Sequence, residues 1–287
     1  MVSLGQLCLI LKILAHSLHA LTAALRRSIR AKLHSRIACR TPAPTPTPQD
    51  RRKTVLIVGA SFAGYHAARL LAAALPPATH HVVIVEPRSH FHYTWGLPRY
   101  SVVPGHEEQA FIPYGGYLGA PSRRAFTWVR DKVIDSTGQK PASGIIADLS
   151  PSSIAESGYI QVKPTMQIAD GCLPNVYIAG DVAKTDARNG NARSAMEQAT
   201  VAADNILLAI RGQKPRFHYQ SSWVDASILL TLGLKKDVMY ISDGEAELLF
   251  NLKSKGPSMN AAAAWRLMGA KPFVDNESVE ERLVKCP

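Results

Sequence analysis

A glycine turn after an apolar run is the part of this sequence best suited to bind a nucleotide. The run from Thr54 to Val58 is followed by the turn Gly59-Ala60-Ser61-Phe62-Ala63-Gly64. Gly59 can take the tight turn that leaves a strand, and Gly64 lets the next helix pack close to the sheet. The N-terminus of that helix then offers its amide N–H groups to a pyrophosphate. Ser61 stands where the usual fingerprint has a glycine, so the sequence matches a variant of the motif.

An acidic residue follows at the spacing that a ribose-binding carboxylate needs. A second apolar run, His81 to Val85, ends in Glu86, which lies 22 residues after Gly64. Its carboxylate can accept hydrogen bonds from an adenosine ribose and favours a free 2′-hydroxyl. The alanine-rich segment from Tyr65 to Leu75 supplies the helix between the two strands. This order of elements predicts a Rossmann-like α/β domain with a parallel sheet, a unit that NAD and FAD share.

A second glycine site distinguishes between these two cofactors. Gly180 and Asp181 end the run from Asn175 to Ala179, which we expect to be a strand of the same sheet. An aspartate at that position can accept a hydrogen bond from the ribityl chain of a flavin. The predicted helix from Arg193 to Ile210 would direct its N-terminal dipole at the flavin ring. A short predicted strand that ends in Thr-Gly, at 134–138, adds to these features, and together they predict FAD. The alternative is an ordinary βα unit with a surface aspartate.

Composition and charge argue against several functional classes. The 287 residues suffice for about two ordinary domains. The net charge is +11, but seven of the Lys and Arg residues fall within the first 49 residues, which hold no acid. The remainder carries only +4, which argues against a nucleic-acid-binding face. The four cysteines are scattered, which argues against a disulfide framework or a zinc site, and we expect no metal.

The N-terminal segment has the period of an amphipathic basic helix, with leucines on one side and basic residues opposite. It fits an interfacial helix that lies on an anionic membrane through residues 4–37, and it also fits a mitochondrial presequence. A spanning helix would place Lys12, His16 and His19 in hydrocarbon. We therefore expect membrane association, at the cytoplasmic face or in the mitochondrion. The apolar positions are Leu4, Leu7, Leu11, Leu14, Leu18, Leu21, Leu25 and Ile29.

Changes in composition divide the chain into four parts. Residues 1–40 form the helical segment, and residues 41–50 form a stiff spacer because proline recurs in them. Residues 51–215 form the cofactor-binding domain. Residues 216–287 form a small C-terminal domain, which we expect to be mixed α/β.

Four segments carry a resemblance to a known family. The chain resembles the apoptosis-inducing-factor-like, ferroptosis-suppressor class of NAD(P)H:quinone flavoproteins, over roughly residues 51–275. Members of this class reduce a quinone at a membrane with electrons that pass from NADH or NADPH through FAD. The segments are Ser89 to Arg99, Phe111 to Tyr114, Thr137 to Pro141 and Leu173 to Asp181.

The resemblance also implies roles for individual residues. It implies that the turn from Gly59 to Gly64 lies at the FAD pyrophosphate and that Glu86 meets the adenosine ribose. It implies that Arg99 and the backbone of Val129 touch the cofactor. It implies further that Asp181, in the Gly180-Asp181 turn, holds the ribityl chain.

One large departure separates this chain from the family. Its members interrupt the FAD domain with a second Rossmann domain of over a hundred residues, which binds the nicotinamide cofactor. Only 50 residues lie between Glu86 and Thr137 here, and no second Gly-x-Gly-x-x-Gly occurs. We therefore expect the NAD(P)H domain to be missing near residues 130–133.

The expected function is an FAD-dependent oxidoreductase with impaired activity towards a quinone or another acceptor, for which NAD(P)H is the donor only if that domain is dispensable. The alternative is a non-catalytic flavin-binding or membrane-associated interaction protein.

Overall fold

The computed structural model describes residues 3–38, 52–116, 126–130, 143–186, 190–254 and 256–275. The spacer at 41–50 and the predicted strand at 134–138 lie outside these ranges. The helices are α1 (Leu4–Ala38), α2 (Phe62–Ala74), α3 (Leu97–Tyr100), α4 (Gly144–Leu149), α5 (Ala192–Ile210) and α6 (Ala261–Leu267). The strands are β1 (Lys53–Val58), β2 (His80–Val85), β3 (His90–His92), β4 (Phe111–Pro113), β5 (Phe126–Val129), β6 (Ile160–Gln161), β7 (Ala183–Lys184), β8 (Ile228–Leu232), β9 (Lys236–Ser242) and β10 (Glu247–Lys253).

A parallel sheet of order β1-β2-β5 carries the predicted α/β domain. Helix α2 connects β1 to β2, as expected for a βαβ unit. In the register of the sheet, Val58 pairs with Val85, and Val85 pairs with Val129. All three strands therefore end at one edge, and the residues that follow them meet there. The predicted α/β class with a parallel sheet is confirmed.

Helix α2 follows from its sequence of small and apolar residues. Ala68 and Leu71 are fully buried on its inner face, and Tyr65 is nearly so. The helix ends at Ala74 because Leu75 is extended, as a residue before proline prefers to be. Alanines at the start of α2 and α5 let the two helices approach closely, and they share a small apolar cluster.

One face of the parallel sheet stays accessible in the described part of the chain. Leu56 is 60% exposed, Val58 is 49% exposed and Val129 is 37% exposed. The opposite face packs against the main core, which includes Val82 and Ile84. A parallel sheet is usually covered on both faces, but the described residues cover only one face of this sheet.

The segment from Asn175 to Ala179 does not join the parallel sheet, which corrects the sequence-based expectation. It pairs with a nearer stretch instead: the Ile168 N–H donates to the Val176 carbonyl and the Ile178 N–H donates to the Met166 carbonyl. The bridge that results, between Gln167 and Tyr177, is antiparallel. The chain reverses direction between these two stretches. Residues 175–179 therefore pair with the nearby antiparallel stretch and not with the parallel sheet.

The C-terminal part contains an antiparallel sheet of order β10-β9-β8 together with α6, so the expected mixed α/β composition is confirmed. Trp265 of α6 is nearly fully buried and donates its indole N–H to the Gln109 carbonyl. The hydroxyls of Tyr93 and Tyr100 donate to the carbonyls of Met259 and Ser258. These contacts fasten α6 and the residues before it to the core that packs against the parallel sheet.

Helix α1 is present, as the N-terminal period predicted, and it extends over 35 residues. Its first half lies along the rest of the protein, with Leu9 fully buried. No helix in the described ranges combines the length and the apolar character needed to cross a bilayer.

Candidate cofactor-binding site

The glycine turn between β1 and α2 has the geometry that its sequence predicts. Gly59 has a φ of +86°, which side chains rarely allow, and its N–H donates to the Val85 carbonyl. A Cβ atom on Gly64 would lie 1.9 Å from the Gly59 carbonyl oxygen. Only glycine at position 64 therefore lets the first turn of α2 rest on the end of β1.

The N-terminus of α2 is available to an anion. Ser61 occupies the N-cap position with an extended backbone, and its side chain makes no capping hydrogen bond. The first turn of the helix holds no acidic residue. The first amide N–H groups of a helix have no partner within the helix, and its dipole favours negative charge at that end. This terminus can therefore bind a phosphate.

Glu86 lies directly beside the turn. Its side chain is 7% exposed, and its two carboxylate oxygens accept hydrogen bonds from the N–H groups of Ala60 (2.8 Å) and Arg88 (3.1 Å). The Glu86 N–H donates to the Val129 carbonyl. Because a carboxylate has about four acceptor positions, Glu86 keeps capacity for a ribose hydroxyl. The structure thus gathers three predicted elements, namely the turn, Glu86 and Val129, at one edge of the sheet.

The second glycine turn adjoins the first. A Cβ atom on Gly180, whose φ is +92°, would lie 3.3 Å from the Cβ of Ala63 in the first turn of α2. Ala179 packs in the same small cluster as Ala63. Asp181 is exposed, and a Cβ on Gly190 would lie 2.9 Å from its carboxylate. Two segments more than a hundred residues apart therefore meet at the start of α2.

Gln198 positions the second turn, a role that the sequence-based predictions missed. Its side-chain oxygen accepts a hydrogen bond from the Gly180 N–H at 2.8 Å, and the side chain is 3% exposed. The sequence does contain a sign of this role, because Gln198 lies among the inward-facing alanines of α5. These alanines are Ala195, Ala199 and Ala202. A buried polar side chain on such a face needs a partner.

Arg99, which the resemblance places at the cofactor, contacts the C-terminal part of the chain. Its guanidinium donates to the carbonyl of Gly233 at 2.7 Å and to the carbonyl of Gly256 at 3.4 Å. In the structure this side chain therefore fastens α3 to the C-terminal part. Two nearby aromatic residues lie in different surroundings: Phe91 is buried and packs edge-on against Phe62, whereas Trp95 is 53% exposed.

A cavity of about 930 Å³ opens where β2 and β5 end, and Pro87, Arg88 and Arg130 are part of its lining. Its volume is in the range of small-molecule sites. Burial, and next the charge of Arg88, lower the pKa of His92 on its wall and so favour the neutral imidazole. The lining mixes basic, acidic and aromatic residues: Arg88, His90, His92, Arg130, Glu107, Glu108, Asp275, Phe111, Trp265 and Phe273, with Pro87, Ser89, Gly105 and Gln109.

Comparison with known proteins gives partial likenesses. No protein-family model matches the chain. Over 65 residues it is 43% identical to Fe-regulated protein 8 of Mycosarcoma maydis, a match that covers 23% of this chain and 16% of that protein. Among solved structures, the sulfide:quinone oxidoreductase of Aquifex aeolicus matches 75% of this chain and 90% of its own at 10% identity and a TM-score of 0.48. A NAD-dependent persulfide reductase from A. fulgidus matches 68% of this chain and 37% of its own at 17% identity and a TM-score of 0.28.

Proposed function

We propose that this chain binds FAD along the two adjoining glycine turns. The observation that carries the proposal is the contact between them: Gly180 lies against Ala63 in the first turn of α2. A nucleotide needs only the first turn, whereas a flavin dinucleotide extends past its pyrophosphate to a ribityl chain that needs a second polar site. Asp181 follows Gly180 directly in the sequence and supplies that second site.

The residues present fit the dinucleotide. The uncapped amides of α2 bind the pyrophosphate, and no side chain fills the space beside Gly59. Glu86 accepts from the adenosine ribose, and the cavity where β2 and β5 end receives the adenine. Asp181 accepts from the ribityl chain. Bound FAD would accept electrons from a donor and pass them to an acceptor, which we propose is a quinone or another small oxidant.

We further propose that electron transfer from NADH or NADPH is weak or absent. The strand β5 ends at Val129 and the next described helix begins at Gly144, so 14 residues, 130–143, lie between them. A domain that binds a nicotinamide needs on the order of 100 residues. Hydride transfer also requires the nicotinamide to be held in contact with the flavin, and that orientation contributes several kcal/mol to lowering the barrier. This short connection favours the second candidate function, a flavin-binding protein without pyridine-nucleotide activity.

Anaerobic stopped-flow mixing of the FAD-loaded protein with NADH or NADPH distinguishes the two candidates. We expect the flavin absorbance to bleach no faster than it does for free FAD under the same conditions. Rapid bleaching at micromolar NADH would show that the chain positions a nicotinamide without the second domain. A protein that binds no FAD at all would contradict both candidates.

A further inference from the structure

Helix α1 presents two different faces, and the polar one is turned towards the protein. Gly5, Leu9, Lys12 and His16 recur at intervals of four, three and four residues, so they form one stripe of the helix. Lys12 donates to the Asp243 carboxylate at 2.6 Å, and the His16 ring lies 6.3 Å from that of Trp223. Leu9 is fully buried within the same stripe. The contacts of α1 with the rest of the protein therefore include this ion pair, the ring contact and Leu9, together with a hydrogen bond from the Gln6 side chain to the Glu247 carbonyl.

The leucine face of α1 points away from the protein. Its seven leucines are each between 51% and 78% exposed. A surface helix of a globular protein normally does the opposite and buries its apolar stripe. An exposed apolar stripe of this length marks an interaction site. The leucines are Leu4, Leu7, Leu11, Leu14, Leu18, Leu21 and Leu25.

We propose that the leucine face of α1 docks on an anionic lipid surface, with its axis parallel to the membrane. Charge complementarity selects this occupant, because the first 49 residues hold seven Lys and Arg and no acid. Six of the seven follow Leu25 in the sequence and are separate from the ion pair of Lys12. Leucines that enter the lipid interface beside a cluster of basic residues are the pattern of an interfacial helix.

A second copy of the chain is the competing occupant, because the leucines recur with the spacing of a coiled coil. In a coiled coil, the positions that flank the leucine seam usually carry charges that select the partner. Here those positions hold Cys8, Ile10, Ala15 and Ser17. Two such helices packed in parallel would also bring their basic halves together. Both features favour a lipid surface over a second copy.

Flotation of the full chain with vesicles tests this proposal independently of FAD. The probes are phosphatidylcholine vesicles with and without about 30% phosphatidylglycerol. We expect the chain to float with the anionic vesicles and to bind neutral ones at least about tenfold more weakly. The triple variant Leu11→Ser, Leu14→Ser, Leu18→Ser should bind anionic vesicles about 100-fold more weakly. Since these side chains are exposed, its thermal midpoint should stay close to that of the parent chain.

A matched control replaces three leucines that are equally exposed on the C-terminal sheet. The variant Leu230→Ser, Leu232→Ser, Leu249→Ser should float like the parent chain, because these positions are 51%, 53% and 66% exposed but lie outside α1. Failure of the parent chain to float, or equal flotation of the α1 variant, would overturn the proposal. Light scattering that shows a dimer which the α1 variant alone dissociates, without vesicle binding, would overturn it in favour of a second copy.

Discussion

At the scale of single residues, the site depends on positions where a side chain has no room. Gly64 is the clearest case, because a methyl group there would overlap the Gly59 carbonyl oxygen at 1.9 Å. Relief would need the start of α2 to move away from β1. The helix N-terminus would then lose its alignment with the edge of the sheet.

We therefore expect Gly64→Ala to lower the free energy of unfolding by about 3 kcal/mol, as overpacking against backbone does. Urea denaturation measures this change. Gly171→Ala is the control, because a Cβ there meets no atom within 4 Å, and we expect a change within about 0.5 kcal/mol. Equal stability of the two variants would contradict the close packing of α2 on the end of β1.

Gln198 is the residue that links α5 to the second turn. Gln198→Ala leaves the Gly180 N–H without its side-chain acceptor, which costs about 1–3 kcal/mol in a buried setting. We expect lower stability in urea and a weaker affinity for FAD. Gln213→Ala, at an exposed position just after α5, should change neither quantity. An unchanged FAD affinity in Gln198→Ala would show that Gly180 needs no such support.

The structure agrees with sequence reasoning about local geometry where the cause of that geometry is itself local. A tight turn after a strand needs glycine at Gly59, and the ends of parallel strands bring Glu86 to Val129. Arg99 could not be placed in this way, because the carbonyls of Gly233 and Gly256 that it contacts come from distant parts of the chain. Gln198 was visible as a polar residue on an apolar helix face, but its partner depends on how α5 packs.

At the scale of elements, periodic segments were predictable and short ones were not. The predicted helices of α2 and α5 agree with the structure within three residues at their starts and one at their ends, because long runs of small and apolar residues favour them. The run from Asn175 to Ala179 looked like a strand of the parallel sheet, but it pairs with residues 166–168. The pattern of apolar residues predicts that a segment is extended, but it does not predict which strand the segment pairs with.

The position of α1 depends on another element, the turn between β9 and β10. Asp243 accepts from Lys12, and from the N–H groups of Glu245 and Ala246. The hydrogen bond from Lys12, followed by those from the backbone, lowers the pKa of the Asp243 carboxyl. The ionised Asp243 carboxylate therefore stabilises the docked helix at pH values above 3.8, the ordinary pKa of the group. This contribution is lost as the pH falls below 3.8 and the carboxylate becomes protonated.

We expect Asp243→Asn to loosen the first half of α1 at pH 7. Amide hydrogen exchange over residues 7–16 should become roughly two- to fivefold faster, the factor that a partly exposed ion pair supplies. Glu245→Gln is the control, because Glu245 is 3.5 Å from Lys12 and its side chain is 84% exposed. If both variants exchange like the parent chain, Asp243 does not determine how α1 docks.

At the scale of the whole molecule, the chain combines two adjoining glycine turns with a short connection after β5. The two glycine turns meet at α2, while β5 is followed by a connection of 14 residues. One face of the parallel sheet is accessible in the described ranges. The basic charge is concentrated ahead of this body, so we expect the proposed binding of FAD and the proposed binding of a lipid surface to be separable.

FAD titration of Ser61→Asp and Ser61→Asn tests most directly whether the N-terminus of α2 binds the dinucleotide. Both residues are good N-caps, so both variants should fold with a thermal midpoint close to that of the parent chain. Only aspartate places a negative charge against the pyrophosphate. We expect calorimetry to show FAD affinity at least about 100-fold weaker for Ser61→Asp and within about tenfold of the parent for Ser61→Asn. Equal binding of FAD by both variants and the parent chain would contradict a pyrophosphate site at the start of α2.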